Sequence, residues 1–146
     1  MNHTRLLACL FSFTLVCTIT SFAQVIISEI VADNTKFDDE DTDSPSWFEL
    51  YNPDSDPVAL DGWHLTNDSD DLSKWTIQQL TLEGKSVRVF FASGKDRPLT
   101  AETINGRFLH TNFGLPNKGG YLALVKPDGT TIADTITYPA LEKNLA

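Results

Sequence analysis

Glycine and proline are scattered through residues 24–146 as punctuation and mark frequent turns. All 8 glycines and all 7 prolines of the chain lie there, and these two residues are the strongest local breaks in regular structure. No window carries the 3.6-residue apolar periodicity of an amphipathic helix, whereas several short runs are rich in β-branched and aromatic residues. Val25–Val31 reads as a first strand. Trp47–Tyr51 reads as a second, with Phe48 and Leu50 on one face and Trp47, Glu49 and Tyr51 on the other. Asn52-Pro53 ends it, because proline brings no N–H to a ladder.

Val58–Leu60 and Trp63–Leu65 flank Asp61-Gly62, a tight-turn or bulge pair. Trp75–Ile77 follows, then Ser86–Ala92, which reads as a central strand with little exposed face. Residues 97–118 are irregular except for Arg107–His110. Tyr121–Lys126 pairs with Thr131–Tyr138 across Pro127-Asp128-Gly129-Thr130. About eight short strands with dense turns predict an all-β sandwich or barrel in one domain. Asp134 shares parity with Ile132, Ile136 and Tyr138, which a regular strand would bury. A bulge or a buried, hydrogen-bonded carboxylate resolves the conflict.

The first 23 residues read as an export signal. Arg5 precedes an uncharged apolar run, Leu6–Ile19, and Ser21-Phe22-Ala23 offers small residues for cleavage before Gln24. The run falls short of the ~20 residues that cross a bilayer. Cys17 lies near its end, but Thr14-Leu15-Val16 lacks the small residue a lipid-attachment motif needs. Cleavage removes both cysteines, Cys9 and Cys17, so the remaining 146 − 23 = 123 residues form no disulfide. A cysteine-free exported domain of that length holds together by core packing, or by packing plus bound ions.

Without Arg5, 10 basic residues face 20 acidic ones, and residues 33–71 hold 13 acids against Lys36 alone. So acidic a surface repels nucleic-acid phosphates and anionic lipid headgroups, and its natural counterparts are cations.

Three runs together resemble the lamin-tail domain family, especially its bacterial exported members: Ile27-Ser28-Glu29-Ile30-Val31, Trp47-Phe48-Glu49-Leu50-Tyr51-Asn52 and Leu60-Asp61-Gly62-Trp63-His64-Leu65-Thr66. Phe90-Phe91-Ala92-Ser93-Gly94-Lys95-Asp96, Leu109-His110-Thr111-Asn112-Phe113 and Gly119-Gly120-Tyr121-Leu122-Ala123-Leu124 continue the resemblance in order over residues 25–139. It implies an immunoglobulin-like antiparallel β-sandwich and no reaction. Similar bacterial domains sit in large exported or surface proteins, often beside enzymes, so this chain is expected to be all or the N-terminal part of such a protein.

The sharpest local signal is Asp39-Glu40-Asp41-Thr42-Asp43. Carboxylates at 39, 41 and 43 converge when a loop curls, offering the hard oxygens Ca²⁺ prefers. Ser44 and Leu50 stand where an EF-hand needs glycine and a bidentate glutamate, so that motif is rejected. A different calcium site, closed by Asp38, Asp54, Asp56 or Glu49, stands against a solvated acidic surface. Asn67–Asp71 is a weaker second candidate, with Asx-turn chemistry as its alternative. Asn67-Asp68-Ser69 is also a glycosylation sequon.

Trp47, Trp63 and Trp75 either form a stacking platform for sugars or peptides or pack the core. If Trp47 and Tyr51 face outward beside Glu49, they are the partner-binding candidates. His64 and His110 are isolated, without zinc-ligand spacing, and read as half-buried. No nucleophile motif is present, and Ser93-Gly94-Lys95 lacks the upstream glycine of a phosphate loop. The sequence thus predicts a secreted or cell-surface, non-catalytic, monomeric module contacting protein or carbohydrate, with calcium as its one candidate ion. The alternative is an accessory domain of a larger exported enzyme.

Overall fold

The structure is a computed structural model that describes residues 24–98 and 108–145. The expected signal segment 1–23 and Arg107 of the expected strand 107–110 lie outside the described residues. Those residues form ten strands: β1 Ile26–Val31, β2 Ser46–Tyr51, β3 Val58–Ala59, β4 His64–Thr66, β5 Trp75–Thr76, β6 Thr81–Leu82, β7 Val87–Ala92, β8 Leu109–His110, β9 Gly119–Val125 and β10 Ile132–Pro139. Among them no helix is long and apolar enough to cross a membrane.

Two four-stranded sheets face each other, in the orders β1-β2-β7-β8 and β10-β9-β4-β5, and β3 pairs with β6 apart from them. The architecture is the immunoglobulin-like sandwich that the resemblance implies, and it settles the sandwich-or-barrel choice that the strand pattern left open. Its core is built from alternate positions. Phe48 and Leu50 of β2, Phe90 of β7, Leu65 of β4, and Leu122 and Leu124 of β9 have no exposed surface. Phe48 and Phe90 are cross-strand partners whose rings stack at 5.3 Å. Burying one such side chain stabilises by roughly 1.5–3 kcal/mol.

The structure departs from the sequence expectations in particular places. The first sheet is not wholly antiparallel: β7 and β8 run parallel, Phe90 opposite Leu109 and Phe91 opposite His110. The connection over residues 93–108 is long enough to bring the chain back in the same direction, which a tight hairpin cannot do. Asp61-Gly62 does turn the chain, with Gly62 at φ 78° and the Trp63 N–H donating to the Leu60 carbonyl at 3.1 Å. The strands on either side then separate, β3 to β6 and β4 to β5 and β9.

The Asp134 conflict resolves through a bulge, and the carboxylate, half-buried and not buried, is hydrogen-bonded. The β9–β10 register shifts between Ile132 and Asp134, turning Ala133 into the core and leaving Ile132 43% exposed. Asp134 stays on the sandwich side, where its Oδ2 accepts the Ile27 N–H at 2.7 Å. That bond joins β1 to β10, the free edges of the two sheets, along a cleft of about 140 Å³ lined by Ile27, Ile30, Ile136, Tyr138 and Leu141. β1 carries its own bulge between Ile27 and Glu29, so both edges are kinked where they meet.

Candidate functional site

The loop between β1 and β2 folds over the β8 edge of the first sheet. Buried Asn34 sets its shape. Its Nδ2 donates to the carbonyls of Phe37 and Pro45, and its Oδ1 accepts the N–H groups of Lys36 and Phe37. Phe37 is thereby pressed onto the outer face of the sheet, against Trp47 (5.9 Å between ring centroids), Phe91 (5.1 Å) and Phe108 (5.5 Å).

Asp39 organises the rest. Its side chain has no exposed surface. Oδ1 accepts the N–H groups of Asp41 and Asp43, an Asx-type turn, while Oδ2 accepts from Lys95 Nζ at 2.5 Å. Asp41 and Asp43 accept from the same ammonium at 2.8 and 2.9 Å. The three carboxylates converge as the spacing predicts, and at their centre stands a lysine. An ammonium has three N–H donors, and each finds one carboxylate. The loop is drawn tight enough to hold Thr42 at φ 66°, a left-handed conformation costly for a β-branched residue.

Lys95 is delivered by the turn after β7, where Gly94 and Asp96 lie at φ 75° and 52°. Asp96 Oδ1 accepts the Trp75 indole N–H at 2.9 Å, tying that turn to the core. Arg97 reaches Glu40 at 2.9 Å and Asp41 at 2.7 Å. Burial by itself opposes the Lys95 charge, but the hydrogen bonds to Asp39, Asp41 and Asp43 outweigh it and raise its pKa. Burial likewise opposes ionisation of Asp39 and Glu40, yet Lys95 and two backbone N–H groups lower the first, and His110, Glu40's own N–H and Arg97 lower the second. Asp41 is lowered to about 2 by Lys95 and then Arg97.

His110 on β8 is fully buried, correcting the half-buried reading, and stacks on Phe91 at 5.3 Å. Its Nε2 lies 2.9 Å from Glu40 Oε2 and its Nδ1 2.9 Å from Ser93 Oγ. Ser93 Oγ also accepts the Lys95 N–H at 3.2 Å, so its own proton is free for Nδ1. With Ser93 donating to Nδ1, the Nε2–H of His110 is the group that donates to Glu40 Oε2. A serine, histidine and carboxylate in line invite a catalytic comparison, but nucleophilic chemistry needs room for a substrate beside the serine oxygen. Here the imidazole is sealed in packing, and the cleft described above opens at the opposite edge of the sheet.

The other nominated ligands do not join this cluster. Asp38 accepts from Ser44 Oγ at 2.5 Å. Asp54 and Asp56 follow β2 at its far end, about 17 Å of strand away. Glu49 sits mid-strand on the outer face, 3.4 Å from Ser28 Oγ. Among the described residues, two groups of ligand-type atoms lie within 4.8 Å of one another, Asp39, Asp41 and Asp43, and Asp39, Glu40 and His110. Residues 67–71 follow the Asx-turn alternative, the Asp70 N–H donating to Asp68 Oδ1 at 3.0 Å. In the sequon, Asn67 Nδ2 donates to the Gly114 carbonyl at 3.0 Å.

The tryptophans do not share a platform. Trp75 is in the core, Trp63 packs against it, and Trp47 lies on the outer face under the edge of Phe37. Tyr51 lies on that face too, at the open end of β2. Sequence reasoning missed Lys95, Arg97, Glu40, His110 and Ser93 as one constellation. A faint signal existed: Lys95 and Arg97 are the only basic residues two apart in residues 24–146.

A family model described as Lamin Tail Domain matches residues 18–140. No curated protein matches the chain.

Proposed function

The chain belongs to the lamin tail domain family, and from that membership we propose that it works as a non-catalytic contact module, exported to the cell surface or beyond by residues 1–23. The observation that carries the reading is where the reactive side chains point. Ser93, His110 and Glu40 are spent on one another and on the acidic loop, so among the described residues they hold structure. Contact, not turnover, is what such a surface supports. A hydrolase screen of the chain beside its Ser93→Ala variant tests this, with no turnover expected from either. An activity present in the parent and lost in the variant would reverse the reading. Export is tested by the mass of the chain recovered outside an expressing cell, expected to begin at Gln24. A chain retained inside at full mass would remove the exported part of the proposal.

Calcium enters this proposal as a competitor of Lys95. Three carboxylates suit a divalent ion, but the ammonium already stands among them and is covalently part of the chain. The geometry favours Lys95 as the built-in cation that staples the loop, with Ca²⁺ binding only where the lysine is removed.

A further inference from the structure

We propose that the outer face of the first sheet, at the end away from the acidic loop, docks a basic peptide segment of a partner protein. The inference rests on the contact-module reading and gives that module its surface. Register places Ile26, Tyr51 and Val87 side by side across β1, β2 and β7, with Glu29, Glu49 and Val89 in the next row. All six project opposite to core-facing Phe48 and Leu50. Ile26 is 37% exposed and Val87 50% exposed. At the other end of the same face, the row of Val31, Trp47 and Phe91 lies where Phe37 packs on Trp47 and Phe91. The face is therefore half roofed and half open, and its open half holds an apolar row.

Charge selects the occupant. Glu29 and Glu49 are direct cross-strand partners, so their backbones lie about 5 Å apart. Like charges directly opposite one another destabilise a sheet. Among the described residues, the ion pairs engage other carboxylates, those of Asp39, Glu40, Asp41, Asp43 and Asp68. A cation entering between Glu29 and Glu49 relieves that repulsion, which a neutral sugar cannot do. The two rows are two residues apart along each strand, about 7 Å. An extended peptide spaces alternate side chains by the same distance, so one basic residue fits the glutamate row while an apolar neighbour two positions away covers Tyr51. The net charge of −9 draws such a segment in.

The test is an NMR titration of the isotope-labelled chain with acetyl-Leu-Thr-Arg-Thr-Leu-amide at low salt. Shift changes are expected at residues 26, 29, 49, 51, 87 and 89, and not at 93–97. Glu49→Gln should weaken binding roughly fivefold, the size of one partly exposed charge-assisted contact. The same variant should keep or raise the thermal midpoint, because it removes a repulsion, so weaker binding would not reflect unfolding. A peptide with glutamate in place of arginine should not bind. Shifts confined to the Asp39–Asp43 loop, affinity unchanged in Glu49→Gln, or binding of maltohexaose in place of the peptide would each overturn the proposal. Cleavage of the peptide would instead overturn the non-catalytic reading, so the two failures are distinct.

Discussion

Residues 39–43 carry four acidic side chains and residues 67–71 carry three, both in loops at the rim of the sandwich. In the first loop Asp39 is buried, and its neighbours close on Lys95, Arg97 and His110. In the second, Asp68, Asp70 and Asp71 stay exposed, and among the described residues the ion pair they make is that of Asp68 with Lys74 at 3.9 Å. Local hydrogen bonds hold that loop: the Thr66 hydroxyl contacts the carbonyls of Asp68 and Asp71 at 2.9 and 2.7 Å. Two acidic runs of similar composition thus differ because one faces a strand end that carries cations. An acidic run is a staple or a solvated turn according to what the fold places opposite it.

The largest break in this comparison should come from Asp39→Ala. It leaves the N–H groups of Asp41 and Asp43 and the Lys95 ammonium without their buried acceptor. A loss of about 2 kcal/mol, or roughly 8 °C in thermal midpoint, is expected by calorimetry. Asp70→Ala, by contrast, should stay within about 0.5 kcal/mol.

Next in size is the exchange of one cation for another. Lys95→Gln leaves three carboxylates facing each other, so its thermal midpoint should fall in a chelator and recover with millimolar Ca²⁺. The parent should unfold alike in both. A parent that gains with Ca²⁺ would show that the ion displaces the lysine.

Acid should open the first loop. Asp39, Glu40 and Asp41 are all lowered in the fold, so their contribution is fully present above the ordinary carboxylate values of 3.8 and 4.5. It is lost as pH falls through the folded values, which for Asp41 is about 2. Lys95 is raised, so its contribution holds below the ordinary lysine value of 10.5 and fades only at higher pH. Asp128 is also lowered, by the Thr131 hydroxyl and the N–H groups of Thr131 and Thr130, so acid acts on the β9–β10 turn as well. The difference in midpoint between the parent and Lys95→Gln isolates the staple, and it should shrink between pH 4.5 and pH 2.

The smallest effect should be a gain. Thr42 sits at φ 66°, and Thr42→Gly releases that strain against the entropy glycine adds to the unfolded chain. A rise of about 0.5 kcal/mol in denaturant unfolding is expected. No residue of the 67–71 loop has positive φ, so no equivalent gain exists there.

Strand alternation was legible because it is local. Phe48 and Leu50 had to share a face, and the β9–β10 hairpin was written in Pro127-Asp128-Gly129-Thr130. Convergence of Asp39, Asp41 and Asp43 was legible for the same reason. What they converge on was not, since Lys95 lies 52 to 56 residues away. The parallel return of β8 was hidden likewise, because it is fixed by tertiary packing, whereas the parity of Asp134 had already pointed to the bulge beside it. β6, only two residues long, carries too little pattern to read.

The seam between β1 and β10 also has a direction. Ile27 bonds Asp134, and further on the Asn144 N–H donates to the Asp33 carbonyl at 2.7 Å while Asn144 Oδ1 accepts the Thr35 N–H. Both segments therefore advance the same way along the seam. Tension applied through residues 24 and 145 would slide them past each other and load these bonds together, where opposed strands would unzip one bond at a time. Pulled by its two ends, the domain would therefore carry the load in shear along this seam.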